Sequence, residues 1–185
     1  MQDTPENILA QAVELCSPQQ VAAALNRMAG EITAQLSGQN PLVLCVMKGA
    51  VVFAGQLLPL LRFPLSFDYI HATRYRDQTH GGELDWHFFP EGLVAGRQVL
   101  VLDDILDEGY TMAAIRDRCL AEGAQGFHSA VLLEKLIDRP KPIAADFIGI
   151  RVPDRFVFGC GMDINGLWRN LPGIYALRQK LDSDT

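Results

Sequence analysis

The sequence predicts an α/β fold in which helices flank a central, mostly parallel sheet. Short apolar runs of strand length alternate along the chain with segments of helical apolar spacing. The runs are almost continuously hydrophobic, as strands covered on both faces must be. Lys48, Asp103, Asp104 and Lys135 stand at the carboxyl ends of such runs, which is where open α/β sheets form their ligand crevice.

The elements follow in order. Residues 18–37 predict a helix, because Ser17 and Gln20 fit a capping box and Pro18 takes the first helical position, where a missing N–H costs nothing. Residues 42–47 form a buried-strand run, and after Lys48-Gly49 the apolar spacing of residues 50–61 is helical. Residues 65–72 and 84–89 read as strands separated by the polar span 73–83. Residues 99–102 are another buried strand, and residues 110–122 carry a helical pattern closed by Gly123. Residues 127–133, 147–150 and 156–158 complete the apolar runs. The chain shows no repeat, low-complexity tract or linker, so a single domain over residues 1–185 is expected.

The chain has 185 residues, 49% of them hydrophobic, and a net charge of −6. Such a length suits one real core. The acidic balance offers no general attraction for nucleic acid, and none is expected as a partner. No apolar run reaches the roughly 18–20 residues of a membrane span, and the first residues lack the pattern of a signal peptide. Cys16, Cys45, Cys119 and Cys160 are scattered without a C-x-x-C pair, which predicts reduced thiols in a cytoplasmic protein. His71, His80, His87 and His128 form no ligand pattern in sequence.

The chemistry concentrates in residues 99–111. Adjacent Asp103 and Asp104 after a buried run repel one another unless cations or hydroxyl donors approach, and two carboxylates can grip a vicinal diol. The turn from Asp107 to Thr111 opens a helix whose N–H groups suit a phosphate. The plainer alternative is a pair of solvated acids with Asp107 capping the helix. The stretch matches neither a Walker loop nor a G-x-G-x-x-G fingerprint, so spacing alone indicates a phosphorylated sugar.

Residues 101–111, VLDDILDEGYT, resemble the phosphoribosyl pyrophosphate (PRPP) motif of type I phosphoribosyltransferases. Residues 133–135, 146–163 and 169–172, together with Met47-Lys48-Gly49, resemble the hypoxanthine-guanine branch of that family. The resemblance implies the type I phosphoribosyltransferase fold, with a small base-binding hood built from the N-terminal and C-terminal segments. It also implies transfer of phosphoribose from PRPP to hypoxanthine or guanine with Mg2+, in a homodimer or homotetramer.

On that resemblance, Asp103, Asp104, Asp107, Glu108, Gly109, Tyr110 and Thr111 bind the ribose phosphate. Asp107 is the general base and acid at purine N7. Lys48, Gly49, Tyr75 and Arg169 face pyrophosphate, and in the family the peptide before the lysine can be cis. Lys135, Phe156, Val157 and Asp163 bind the purine, while Asp103, Asp104 and Asp163 hold magnesium. Lys135 can donate to a 6-oxo group but would clash with the 6-amino group of adenine. The loop 73–83 is the candidate lid. Glu108 departs from the family, which has a small hydroxyl residue there. A xanthine-guanine transferase, or a nucleotide-sensing regulator on the same fold, is the alternative.

Overall fold

The computed structural model describes residues 4–74 and 84–178. Within them the chain runs α1 (Pro5–Ala10), β1 (Ala12–Cys16), α2 (Pro18–Leu36), β2 (Leu42–Met47), α3 (Val51–Leu57), β3 (Ser66–Arg74) and β4 (Leu84–Phe88). It continues through β5 (Gln98–Leu106), α4 (Tyr110–Ala121), β6 (Gly126–Leu136), β7 (Phe147–Pro153), β8 (Val157–Phe158) and β9 (Ile174–Leu177). Six strands form one sheet in the order β4-β3-β2-β5-β6-β7, parallel throughout except for the β3–β4 pair at the edge. The expected α/β class is what the chain adopts.

Burial explains the layering. Every residue from Leu42 to Val46 is buried, so both faces of β2 are covered, and β5 and β6 carry similar buried centres. At the edge, Ile70 is buried while Phe67 and Tyr69 on the alternate positions are exposed, so the β3–β4 hairpin is covered on one face only. Helix α2 begins at the predicted capping box. The Ser17 hydroxyl accepts from the Gln20 N–H, and the Gln20 side chain accepts from the Ser17 N–H at 2.8 Å.

Three expectations needed revision. The segment 50–61 is a short α-helix continued by a 3-10 turn, Leu58–Leu60, because Pro59 supplies no N–H for a further α-helical bond. Strand β5 runs on to Leu106 and β6 to Leu136, so Asp103, Asp104 and Lys135 lie inside strands rather than just beyond them. Each strand provides the other's extended ladder, with Leu106 opposite Glu134. A second, antiparallel sheet of order β1-β9-β8 joins the two ends of the chain, and α1, β1 and β9 were not foreseen. The candidate lid falls across the boundary: Thr73 and Arg74 end β3, and residues 75–83, with Tyr75 and His80, lie outside the described residues.

The four cysteines are free and buried. Among the described residues, no helix is long and apolar enough to cross a membrane. Removing the α2 cap with Ser17→Ala is expected to cost about 1 kcal/mol of stability, read as a lower midpoint in urea unfolding.

Candidate active site

Strands β2, β5 and β6 run parallel, so their carboxyl ends share one end of the sheet. A cavity of about 300 Å³ opens there. Val46, Met47 and Gly49 line it from the end of β2, and Asp103 through Asp107 line it from β5. The entry to α4 contributes Gly109, Thr111 and Met112, and Arg169 closes it from the C-terminal third.

Close approach builds this cavity. A Cβ on Gly49 would overlap the carboxylate of Asp104, and a Cβ on Gly161 would overlap the carbonyl of Gly49. Three segments far apart in sequence thus meet where only glycine leaves room. The Met47–Lys48 peptide is cis. Gly109 starts α4 at φ 86° with no side-chain cap, so the reading of Asp107 as the helix cap does not hold.

Asp107 instead pairs with Lys135, whose Nζ donates to its Oδ2 at 2.8 Å. Lys135 is largely buried, and the Asp154 Oδ1 stands 3.8 Å from the same Nζ. Glu108 turns to Arg139, forming a short ion pair, and does not line the cavity. Asp163 is held at both oxygens: Oδ1 pairs with Arg169, and Oδ2 accepts from the Gly166 N–H at 2.7 Å. Arg169 also donates to the Gly161 carbonyl at 2.6 Å, which fixes the guanidinium at the cavity wall.

The acids carry the electrostatic tension. Asp103 is buried and accepts from the Asp104 N–H at 3.0 Å. Burial pushes the Asp104 carboxyl above the usual carboxylate range, although hydrogen bonds and the Arg169 charge pull it down. Burial and the Asp103 and Asp104 charges push the nearby Cys45 thiol up to about 12, so it stays neutral and is no nucleophile.

Asp103, Asp104, Asp107, Gly109, Thr111, Gly49 and Arg169 therefore come together around one cavity. Lys135 joins them through Asp107, and Asp163 through Arg169. Lys48, Tyr110 and Phe156 are exposed and outside the cavity lining, and Val157 is buried in β8. His71 and His87, given no role from sequence, face each other across β3 and β4 with ring centroids 4.7 Å apart. Sequence reasoning missed Gly161, Asp154, Arg139 and Lys141. Gly161 and Asp154 lay inside the matched hood segment, but nothing in the spacing marked them.

The family model of the phosphoribosyl transferase domain matches residues 13–165. The chain belongs to this family. It is 31% identical over 165 residues to the hypoxanthine-guanine phosphoribosyltransferase of Bacillus subtilis (strain 168), covering 89% of this chain and 92% of that one. It is 33% identical over 171 residues to the bifunctional protein TilS/HprT of Listeria innocua, covering 92% of this chain and 26% of that protein. The chain thus spans about a quarter of the length of that bifunctional relative.

Solved structures agree on the fold. A Staphylococcus aureus hypoxanthine phosphoribosyltransferase superposes with a TM-score of 0.84 at 25% identity, covering 93% of this chain and 94% of that one. A Bacillus anthracis hypoxanthine-guanine phosphoribosyltransferase also gives 0.84, at 28% identity, covering 90% and 98%. The chain groups with the hypoxanthine-guanine phosphoribosyltransferases and has their type I fold.

The raised Asp104 carboxyl has a sign. A carboxyl that titrates higher in the native state than in the unfolded chain makes the native state bind the proton more tightly. Its contribution to stability is greatest in acid and falls as pH rises through the interval between the two values. Asp104→Asn is therefore expected to raise the Tm of the ligand-free protein at neutral pH. That gain should shrink as pH falls through the raised native value and be gone below about pH 4, where the unfolded-state carboxyl is protonated as well; thermal melts across pH check it.

Proposed function

We propose that the chain transfers phosphoribose from PRPP to N9 of hypoxanthine or guanine, releasing pyrophosphate and forming the nucleoside monophosphate. The meeting of Lys135 with Asp107 beside the cavity carries this reading. A 6-oxopurine presents an acceptor at O6 and an N7–H donor on one edge. An ammonium and a carboxylate side by side match that edge in order. Adenine offers a 6-amino donor to the same ammonium and is rejected, because a buried charge would lose its partner.

In the reaction the bond from C1 of the ribose to pyrophosphate breaks as N9 bonds to C1. Asp107 takes the N7 proton as the purine ring accepts the bond, and returns it in the reverse direction. Asp103 and Asp104 would hold the ribose hydroxyls, while Gly109, Tyr110 and Thr111 offer main-chain N–H groups at the start of α4 to the 5-phosphate. Gly49, Lys48 and Arg169 would face pyrophosphate. Phe156, exposed before β8, suits stacking on the purine, with the Val157 main chain at its edge. The β1-β9-β8 sheet would then be the hood of a single domain over residues 1–185.

The donor set fits magnesium. Asp103 and Asp104 supply hard oxygen donors at the cavity, and among the described residues no three His, Cys, Asp or Glu side chains form a ready cage. Magnesium commonly takes one or two carboxylates and completes its shell with phosphate oxygens and water. When bound it would neutralise the charge that develops on pyrophosphate. Asp163 would aim Arg169 while its remaining lone pairs serve a second ion or the purine edge.

The four buried free thiols suit a cytoplasmic enzyme, and a homodimer or homotetramer is the expected assembly. Neither the xanthine-guanine enzyme nor the regulator is favoured by the relatives described.

Turnover with PRPP, magnesium and each of hypoxanthine, guanine, xanthine and adenine tests the proposal. Nucleotide from the first two is expected, and none from any base would overturn it. Asp107→Asn is expected to lower kcat about 100-fold or more while PRPP affinity changes little, the size typical for loss of a general base. Glu108→Thr should leave PRPP affinity within about two-fold, since its partly exposed ion pair contributes little. Marked tightening in calorimetry would instead put the carboxylate against the phosphate.

A further inference from the structure

Lys141 lies on the loop after β6, and its side chain turns back beneath the strand ends. Its Nζ donates to the Leu106 carbonyl at 3.0 Å and to the Lys135 carbonyl at 2.6 Å. The Glu134 Oε1 lies 3.9 Å away, and Glu134 is itself held by Arg151 at 2.8 Å. An ammonium has three donors; two are taken by carbonyls, and the Glu134 carboxylate stands as a counter-charge beyond hydrogen-bond range. A loop lysine ordinarily keeps its head in water, yet this side chain is 12% exposed.

The location of those bonds matters more than their number. Leu106 and Glu134 are the last paired residues of the β5–β6 ladder. Beyond them the chain turns off to Asp107 on one side and continues through Lys135 on the other. The Leu106 carbonyl immediately precedes Asp107, and the second carbonyl is that of Lys135 itself. One ammonium therefore fixes the main chain at the root of both side chains of the Lys135–Asp107 pair. The same segment also backs the following turn, since a Cβ on Gly109 would lie 3.4 Å from the Lys141 Cβ and from the Pro142 Cδ.

We infer that Lys141 is a positioning residue that holds Lys135 and Asp107 in register with each other for the purine edge. The effect on turnover rests on the transferase reading; the effect on the pair does not. Lys141→Met keeps the apolar stem and removes every donor. In the ligand-free crystal structure of this variant, the Lys135–Asp107 contact is expected to open beyond hydrogen-bond range. With hypoxanthine, kcat should fall about ten- to a hundred-fold, the scale of a roughly 1 Å misplacement, while the KM for PRPP stays within about three-fold.

Lys141→Arg, which can still donate to both carbonyls, should recover most of kcat. In an Asp107→Asn background, Lys141→Met should cost little more, because the Lys135–Asp107 ion pair whose register it holds is already lost; a general structural fastening would cost the same in both backgrounds. Retention of the 2.8 Å contact in Lys141→Met, or equal costs in the two backgrounds, overturns the inference. If the unmodified protein makes no nucleotide, the transferase reading fails while the crystallographic distance still decides this one. Should the methionine variant not fold, Lys141→Gln is read the same way, with a smaller opening expected.

Discussion

The β5–β6 ladder is the constraint on which the site depends. Its register sets Leu106 opposite Glu134 and so delivers Asp107 and Lys135 to the same end of the sheet, where they bond. In a pleated sheet a one-residue slip turns every side chain of a strand to the opposite face. Because β5 is covered on both faces, such a slip would press each of its apolar side chains against the opposite layer and shift the acids out of line with their neighbours on β6. The buried centres of both strands, Val99 to Leu102 and Ala130 to Leu133, therefore hold the Lys135–Asp107 contact in place through ordinary hydrophobic burial. The polar end is precise because the apolar middle tolerates one alignment.

The site also gathers more negative charge than a protein of this kind leaves unbalanced. Asp103, Asp104 and Asp107 line one cavity, and their cations arrive from elsewhere in the chain. Arg169 comes from the C-terminal third, aimed by Asp163, and Lys135 comes from β6. Their approach needs the bare backbone of Gly49 and Gly161, which lets the β2 turn and the C-terminal loop close on Asp104. The raised Asp104 carboxyl shows that protein cations offset only part of the desolvation. The remainder destabilises the ligand-free fold at neutral pH.

Sequence made the parallel sheet legible because its buried strands are continuous apolar runs, and it made the acidic end of β5, now lining the cavity, legible because acids so seldom follow such a run. It was silent on β1 and β9. Each is only four or five residues long, and their pairing joins residues about 160 positions apart, beyond the reach of any local pattern. Residue type singled out Asp103, Asp104 and Asp107, but not their partners. Nothing local to Lys135 says that it meets Asp107, and nothing local to Lys141 says that it points inward. Lone lysines on loops look alike until the fold gives some of them carbonyls.

Glu108 shows how the loop after β6 completes the turn. A carboxylate next to a phosphate cradle is unfavourable unless something turns it away, and Arg139 does so. Arg139 and Lys141 stand two residues apart on that one loop, yet they serve opposite sides of the 107–109 turn. Arg139 draws the Glu108 side chain outward, while Lys141 and Pro142 support the main chain from beneath. The side chain at position 108 is thereby kept out of the cavity lining. A small hydroxyl residue reaches the same end by being small. This chain reaches it by pairing a larger acid with a cation from the neighbouring loop, so the two loops become one unit: the substitution at 108 is intelligible only together with Arg139.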